Sequence, residues 1–140
     1  MSRFVLDTSV SLAWFLDRPV SRRAVQVWHS LQQGSRAVVP PLWLIEMANG
    51  FATAERRGAL TRSDIDRCLT GIDVLLASSV DYSTTAISLR QAFAAAASGF
   101  RLTAYDAVYL ETARTEHLPL ATLDRALADA ARRAGVRLFV

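Results

Sequence analysis

Four carboxylates stand where a packed chain has least reason to place them: Asp7 in FVLDTSV, Glu46 in PLWLIEMAN, Asp106 in LTAYDAVYL and Asp124 in LATLDRAL. Each is set among residues that normally lie inside, and an ionised carboxylate is almost never fully buried without a partner or a metal. If the four converge on one pocket, a cation has to offset their repulsion. An all-oxygen ligand set suits magnesium, a hard ion that accepts a few carboxylates and keeps waters for a phosphate to displace, with manganese able to substitute. No histidine or thiolate is required. His29 and His117 fall at no metal-ligand spacing with each other or with the acids, and Cys68 reads as a small core residue.

Taken singly, each acid has an ordinary explanation. Asp7 and Asp124 are good caps for the helices that follow them, Asp106 in a first turn is favoured by the helix dipole, and Glu46 begins a polar stripe with Asn49, Thr53 and Arg57. Their joint placement is what raises the functional reading, because unrelated caps have no reason to project toward one edge.

The positioning elements follow from hydrophobic period and punctuation. Arg3 to Leu6 reads as a short buried strand ending at Asp7, and Thr8 to Phe15 as a helix capped by Thr8 or Ser9. Asp17-Arg18-Pro19 is a turn, Val20 to Gln33 a helix closed by Gly34, and Ala37 to Val39 the next strand. Pro40-Pro41 opens a helix to about Arg57-Gly58, and Thr61 with Asp64 opens another to about Ala77 through a variant of the capping box. Val80 and Tyr82 mark a short strand, Ser83 to Ala97 an alanine-rich helix, Thr103 to His117 a helix bearing Asp106, and Leu118 to Ala121 a strand. Leu123 to Ala134 is a helix stopped by Gly135, and Val136 to Val140 a last strand. Strands alternating with helices imply a largely parallel sheet covered on both faces, whose ligands bind beyond the carboxyl ends of the strands where strand order reverses. Asp7 and Asp124 lie at or just past such ends, and Glu46 and the first turn bearing Asp106 can face the same edge.

Composition is consistent with this. With 140 residues, 51% of them hydrophobic, the chain can build one core, read as a single domain over 1–140. No apolar run approaches a membrane span, and the N-terminus enters polar Thr8 and Ser9 rather than a signal-type apolar region, so no membrane association and a cytoplasmic location are expected. A lone cysteine excludes an intramolecular disulfide. Net charge is +3, and gathering four of thirteen acids in one place leaves the rest of the surface more basic still, which favours a polyanionic partner. Every basic residue is arginine, whose fork pairs with phosphate at two points. Arg57 and Arg101 are the candidates for gripping phosphates that flank the site. Trp14, Trp28 and Trp43, with Tyr105 and Tyr109, read mainly as core, one of them open to a partner interface.

In this order, VLDTSV, the P-x-x-x-x-E segment holding Glu46, YDAVYLETA around Asp106 and the T-x-D of Thr122 and Asp124 resemble the PIN-domain nucleases, most closely the VapC-type toxins of bacterial toxin–antitoxin pairs. The resemblance spans essentially the whole chain. It implies a three-layer α/β/α domain with a mostly parallel sheet of about four to five short strands. It also implies catalytic acids Asp7, Glu46, Asp106 and Asp124, with Thr8, Ser9, Asn49 and Thr122 as supporting polar residues. Asp7, Asp106 and Asp124 are the best metal ligands, while Glu46 either ligates or orients the attacking water. The expected activity is magnesium-dependent hydrolysis of RNA, and the expected partners are a cognate antitoxin and a second copy of the chain. Two other readings stand beside it. An aspartyl phosphotransfer domain fits worse, because no lysine is present and Ser9 occupies the second acidic position of a D-x-D; a catalytically silent module would use its acids to grip a basic segment.

Overall fold

The computed structural model describes residues 2–99 and 101–140. Four short strands, β1 (Arg3–Leu6), β2 (Arg36–Val39), β3 (Val80–Tyr82) and β4 (Leu120–Ala121), form one sheet in the order β3-β2-β1-β4, and every pairing is parallel. Val5 pairs with both Val38 and Leu120, so β1 lies centrally. Its Phe4, Val5 and Leu6 are fully buried, as are Val38 and Val39 of β2, the continuous apolar character expected of strands covered on two faces. The expected three-layer α/β/α fold is the observed one.

Among the described residues seven helices surround the sheet: α1 (Thr8–Leu16), α2 (Arg22–Gln32), α3 (Leu42–Arg56), α4 (Arg62–Ser78), α5 (Leu89–Ala97), α6 (Ala104–Glu116) and α7 (Arg125–Arg133). The chain runs from β1 outward to β2 and β3, then returns to place β4 on the other flank of β1. Strand order therefore reverses between β1 and β4, and the open crevice of such a sheet lies beyond the carboxyl ends of these two strands. Asp7 directly follows one, and Thr122 the other.

The capping box of α4 is present as expected: Thr61 accepts from the Asp64 N–H, and Asp64 returns the bond to the Thr61 N–H. Gly135, with φ of 76°, ends α7 in the left-handed region that glycine enters without strain. Several boundaries differ from the expectation, three of them with a clear physical cause. The helix expected from Ser83 starts only at Leu89, because Ser83 N–H still bonds the Val39 carbonyl and prolongs the sheet ladder, while a Ser88 to Gln91 capping box sets the true start. The helix expected from Val20 starts at Arg22, after Ser21 accepts from the Ala24 N–H. The expected last strand, Val136 to Val140, reduces to one bridge between Leu120 and Leu138, held in place by Phe139 stacking on Phe4 at 4.0 Å. Phe100 and Met1 lie outside the described residues. No described helix is long and apolar enough to cross a membrane.

Candidate active site

Asp7 is the best-secured of the four acids. It is buried, caps nothing with its side chain, and its Oδ2 accepts from Ser9 at 2.5 Å and from Thr122 at 2.8 Å. The same two hydroxyls accept in turn from the backbone beyond β4, Ser9 from Leu123 N–H at 2.9 Å and Thr122 from Asp124 N–H at 3.0 Å. One carboxylate oxygen thus ties the end of β1, the start of α1 and the loop after β4 into a single network.

Glu46, on the second turn of α3, is held from two sides. Its Oε1 accepts from the Tyr109 hydroxyl at 2.6 Å and from Thr8 at 3.2 Å. Asp124 uses Oδ1 to accept from Leu127 N–H at 2.8 Å, so it does cap α7. A common pattern emerges in these three residues. The protein engages one oxygen of each strongly; Oδ1 of Asp7 meets only Thr8, at 3.5 Å, and the second oxygens of Glu46 and Asp124 have no hydrogen bond among the described residues. Asp106 stands in the first turn of α6, where Thr103 caps the helix by accepting the Asp106 N–H.

The four acids sense one another. Burial is the main cause that raises the Asp7 carboxyl above its usual range, opposed by the Ser9 and Thr122 hydrogen bonds and reinforced by the charges of Glu46 and Asp124. Asp106 is pushed up to about 6, first by burial and then by the charges of Asp7, Asp124 and Glu46. The Tyr109 hydroxyl is raised well above its ordinary value by burial and by its bond to Glu46, so it remains a proton donor to that carboxylate at any working pH. Mutual repulsion of this kind is what a bound cation relieves, and hard oxygens left over from internal bonding are the donors that magnesium or manganese takes. As they stand, no three His, Cys, Asp or Glu side chains among the described residues are grouped closely enough to enclose an ion.

A family model, described as PIN domain, matches residues 4–133. The chain belongs to the PIN-domain family. PIN domains are in general nucleases, hydrolases acting on nucleic acid. The PIN fold is also that of two solved structures: a protein from Pyrobaculum aerophilum, 24% identical, with a TM-score of 0.63 over 92% of this chain and 79% of the other; and a domain of a functionally unknown protein from Methanocaldococcus jannaschii, 14% identical, with a TM-score of 0.57 over 99% of this chain and 90% of the other. No curated protein matches the sequence.

Within this PIN domain the supporting residues divide. Thr8, Ser9 and Thr122 bond directly to the acids, whereas Asn49 lies one turn beyond Glu46 on α3, exposed in an adjoining cleft. Arg57 is the C-cap of α3, eleven residues from Glu46 and so about 16 Å along the helix axis at 1.5 Å per residue; closeness in sequence did not bring it to the acids. Arg101 is exposed, with φ of 56°, two residues before the Thr103 cap of α6. Tyr109, expected as core, is indeed fully buried, yet its hydroxyl fixes Glu46. A signal for that role existed: Tyr109 is three residues after Asp106 and shares its helix face.

Proposed function

We propose that this PIN domain is a magnesium-dependent endoribonuclease, the VapC-type toxin of a toxin–antitoxin pair, acting in the cytoplasm as a homodimer that a cognate antitoxin restrains. The observation that carries the hydrolytic reading is the gathering of four acids at the strand-order reversal, each raised or constrained by its neighbours, with one oxygen pinned and another left over in Asp7, Glu46 and Asp124.

Asp7, Asp106 and Asp124 would hold the divalent ion, manganese serving in place of magnesium. When bound, it supplies charge for the scissile phosphate and lowers the pKa of a water. The remaining work belongs to the chain. Ser9 and Thr122 fix the Asp7 carboxylate, so its orientation is set before substrate arrives. Tyr109 and Thr8 fix Oε1 of Glu46 and leave its other oxygen for either the ion or the attacking water. Arg57, about three turns along α3 from Glu46, and Arg101, just before α6, are both exposed and suit phosphates one or more nucleotides away from the cut. RNA rather than DNA, the antitoxin and the dimer rest on the sequence motifs. Incubating the purified chain with RNA in magnesium, in manganese and in EDTA tests the reading, with Asp7→Asn as the control. Cleavage that needs the metal and Asp7 supports it; RNA left intact by the wild type in both metals overturns it.

A further inference from the structure

Beside the acids lies a cleft of about 510 Å³ that shares Thr8 and Glu46 with them and is otherwise lined by residues to which the proposed hydrolysis gives no step. Thr8 and Glu46 form its boundary with the acid cluster, and Leu12, Ile45, Asn49 and Tyr105 supply much of the rest. Its composition is unusual for solvent-facing surface. Ile45 is 68% exposed and Tyr105 61% exposed, although each neighbours a proposed catalytic acid in sequence, and Asn49 makes no side-chain hydrogen bond among the described residues. The protein thus presents an aromatic ring, an aliphatic wall and an unpaired amide in one recess that opens onto the carboxylates.

We propose that this cleft is a nucleobase subsite, in which the base of a nucleotide adjacent to the scissile phosphate stacks on Tyr105 against Ile45 while the Asn49 amide reads its edge. The proposal rests on the nuclease reading and names what would give that site its sequence preference. Three physical arguments carry it. Single-stranded RNA is read by splayed bases that stack on aromatic side chains and hydrogen-bond at their edges. An asparagine amide offers two donors and an acceptor, the complement of a base edge. A base attached to a phosphate drawn to a cation that Asp7, Asp106 and Asp124 would hold has to lie within a nucleotide's length of them, and the cleft shares Thr8 and Glu46 with that acid cluster. Tyr105 and Asp106 are consecutive on α6, so the residue that would stack on the base and a residue that would help hold the ion are set by the same helical turn.

Fluorescence anisotropy with labelled RNA hexamers of each single base, and with an abasic hexamer, tests this in magnesium on the wild type, Tyr105→Ala, Tyr105→Phe, Ile45→Asp and Asn49→Ala, each titration paired with a denaturing gel. The expected result is that the wild type binds at least one base-bearing hexamer about tenfold or more tighter than the abasic one, a preference lost in Tyr105→Ala and kept in Tyr105→Phe. Ile45→Asp should lose it too, and Asn49→Ala should narrow the differences among the four bases. Equal binding of abasic and base-bearing RNA by the wild type, absence of any binding, or an unchanged preference in Tyr105→Ala that is folded by circular dichroism would each overturn the subsite. The gel separates the two readings: intact RNA with a Tyr105-dependent base preference defeats hydrolysis and leaves the subsite standing.

Discussion

The two ends of the same sheet carry charge in opposite ways. At the carboxyl ends of β1 and β4, Asp7 and Asp106 are raised by burial and by their acidic neighbours, so the folded chain holds charge there against its own electrostatics. At the amino end of β4, a cavity of about 420 Å³ is lined by Arg114, His117 and Arg137 with Leu118 and Pro119. The two arginines stand beside the C-termini of α6 and α7, where the helix dipole favours positive charge, and Arg114 also pairs with the buried Glu111 at 2.7 Å. One end is charged at a cost, the other at a gain. Charge placed at a cost is the mark of a site retained for what it binds, whereas charge that the fold already favours is accounted for by stability.

The sharpest way to break this contrast is through activity. Asp7→Asn and Asp106→Asn are expected to lower RNA cleavage by at least about a hundredfold, since under the proposed function each removes a carboxylate that would hold the divalent ion, and even outer partners of such ligands are worth about tenfold to a hundredfold. Gel assays of RNA turnover with a circular dichroism control decide it. Undiminished cleavage in both variants would make the acid end as structural as the other.

Metal linkage comes next. If the acids share one ion, magnesium at a hundredfold its dissociation constant should stabilise the wild type by about 2.7 kcal/mol, read as a rise in melting temperature over a magnesium or manganese titration. Asp7→Asn should gain less, and in EDTA it should melt at or above the wild type because a repelling charge has gone. A cap residue would behave in the opposite sense, its loss costing about 1 kcal/mol.

A smaller effect is expected from Tyr109→Phe. It removes only the hydroxyl that fixes Glu46, and losing an orienting partner of this kind costs about tenfold or more in activity or metal affinity. The ring still fills its place in the core, so a kinetic loss with a nearly unchanged magnesium-free melting temperature separates positioning from packing.

The four acids, the Thr61–Asp64 capping box and the strand-helix alternation were legible in the sequence because each is a local pattern of residue type against period. Asp124 posed a choice between cap and ligand that no local pattern resolves. Its geometry allows both, one oxygen on Leu127 N–H and the other left over. Tyr109 and Tyr105 looked alike in sequence, and only the helix rotation of α6 buries one against Glu46 and leaves the other in the cleft. The last strand failed for a different reason: its apolar residues are real, but β4 is two residues long and offers one bridge to pair with. The helix expected from Ser83 begins only at Leu89, because the Ser88–Gln91 capping box, not the alanine-rich composition downstream, sets its start.

Arg114→Ala probes the favoured end of the sheet. It leaves the buried Glu111 carboxylate without its 2.7 Å partner, an unpaired polar group that costs about 1–2 kcal/mol. Chemical denaturation should report that loss equally in EDTA and in magnesium, with RNA cleavage unchanged. A stability loss that depended on magnesium would tie this end to the acids and dissolve the contrast.

The smallest expected effect is the pH dependence of the metal-free protein, and its sign is the most discriminating. Asp106 titrates at about 6 in the folded chain against an ordinary 3.8. A carboxyl raised by folding binds its proton more tightly in the native state, so its contribution is fully present below the ordinary value and is lost as pH rises through about 6. Taken at face value the shift is worth roughly 3 kcal/mol, and solvent screening at a partly exposed site reduces that to about 1. Between pH 4 and pH 7 in EDTA, wild-type stability should therefore carry a downward component that Asp106→Asn removes, leaving a flatter profile. Saturating magnesium should abolish the same component in the wild type, because a bound cation favours the ionised carboxylate. If Asp106→Asn instead keeps the wild-type slope in EDTA, Asp106 is not held against its own charge, and the acid end of the sheet loses the property that distinguishes it from the arginine-lined end.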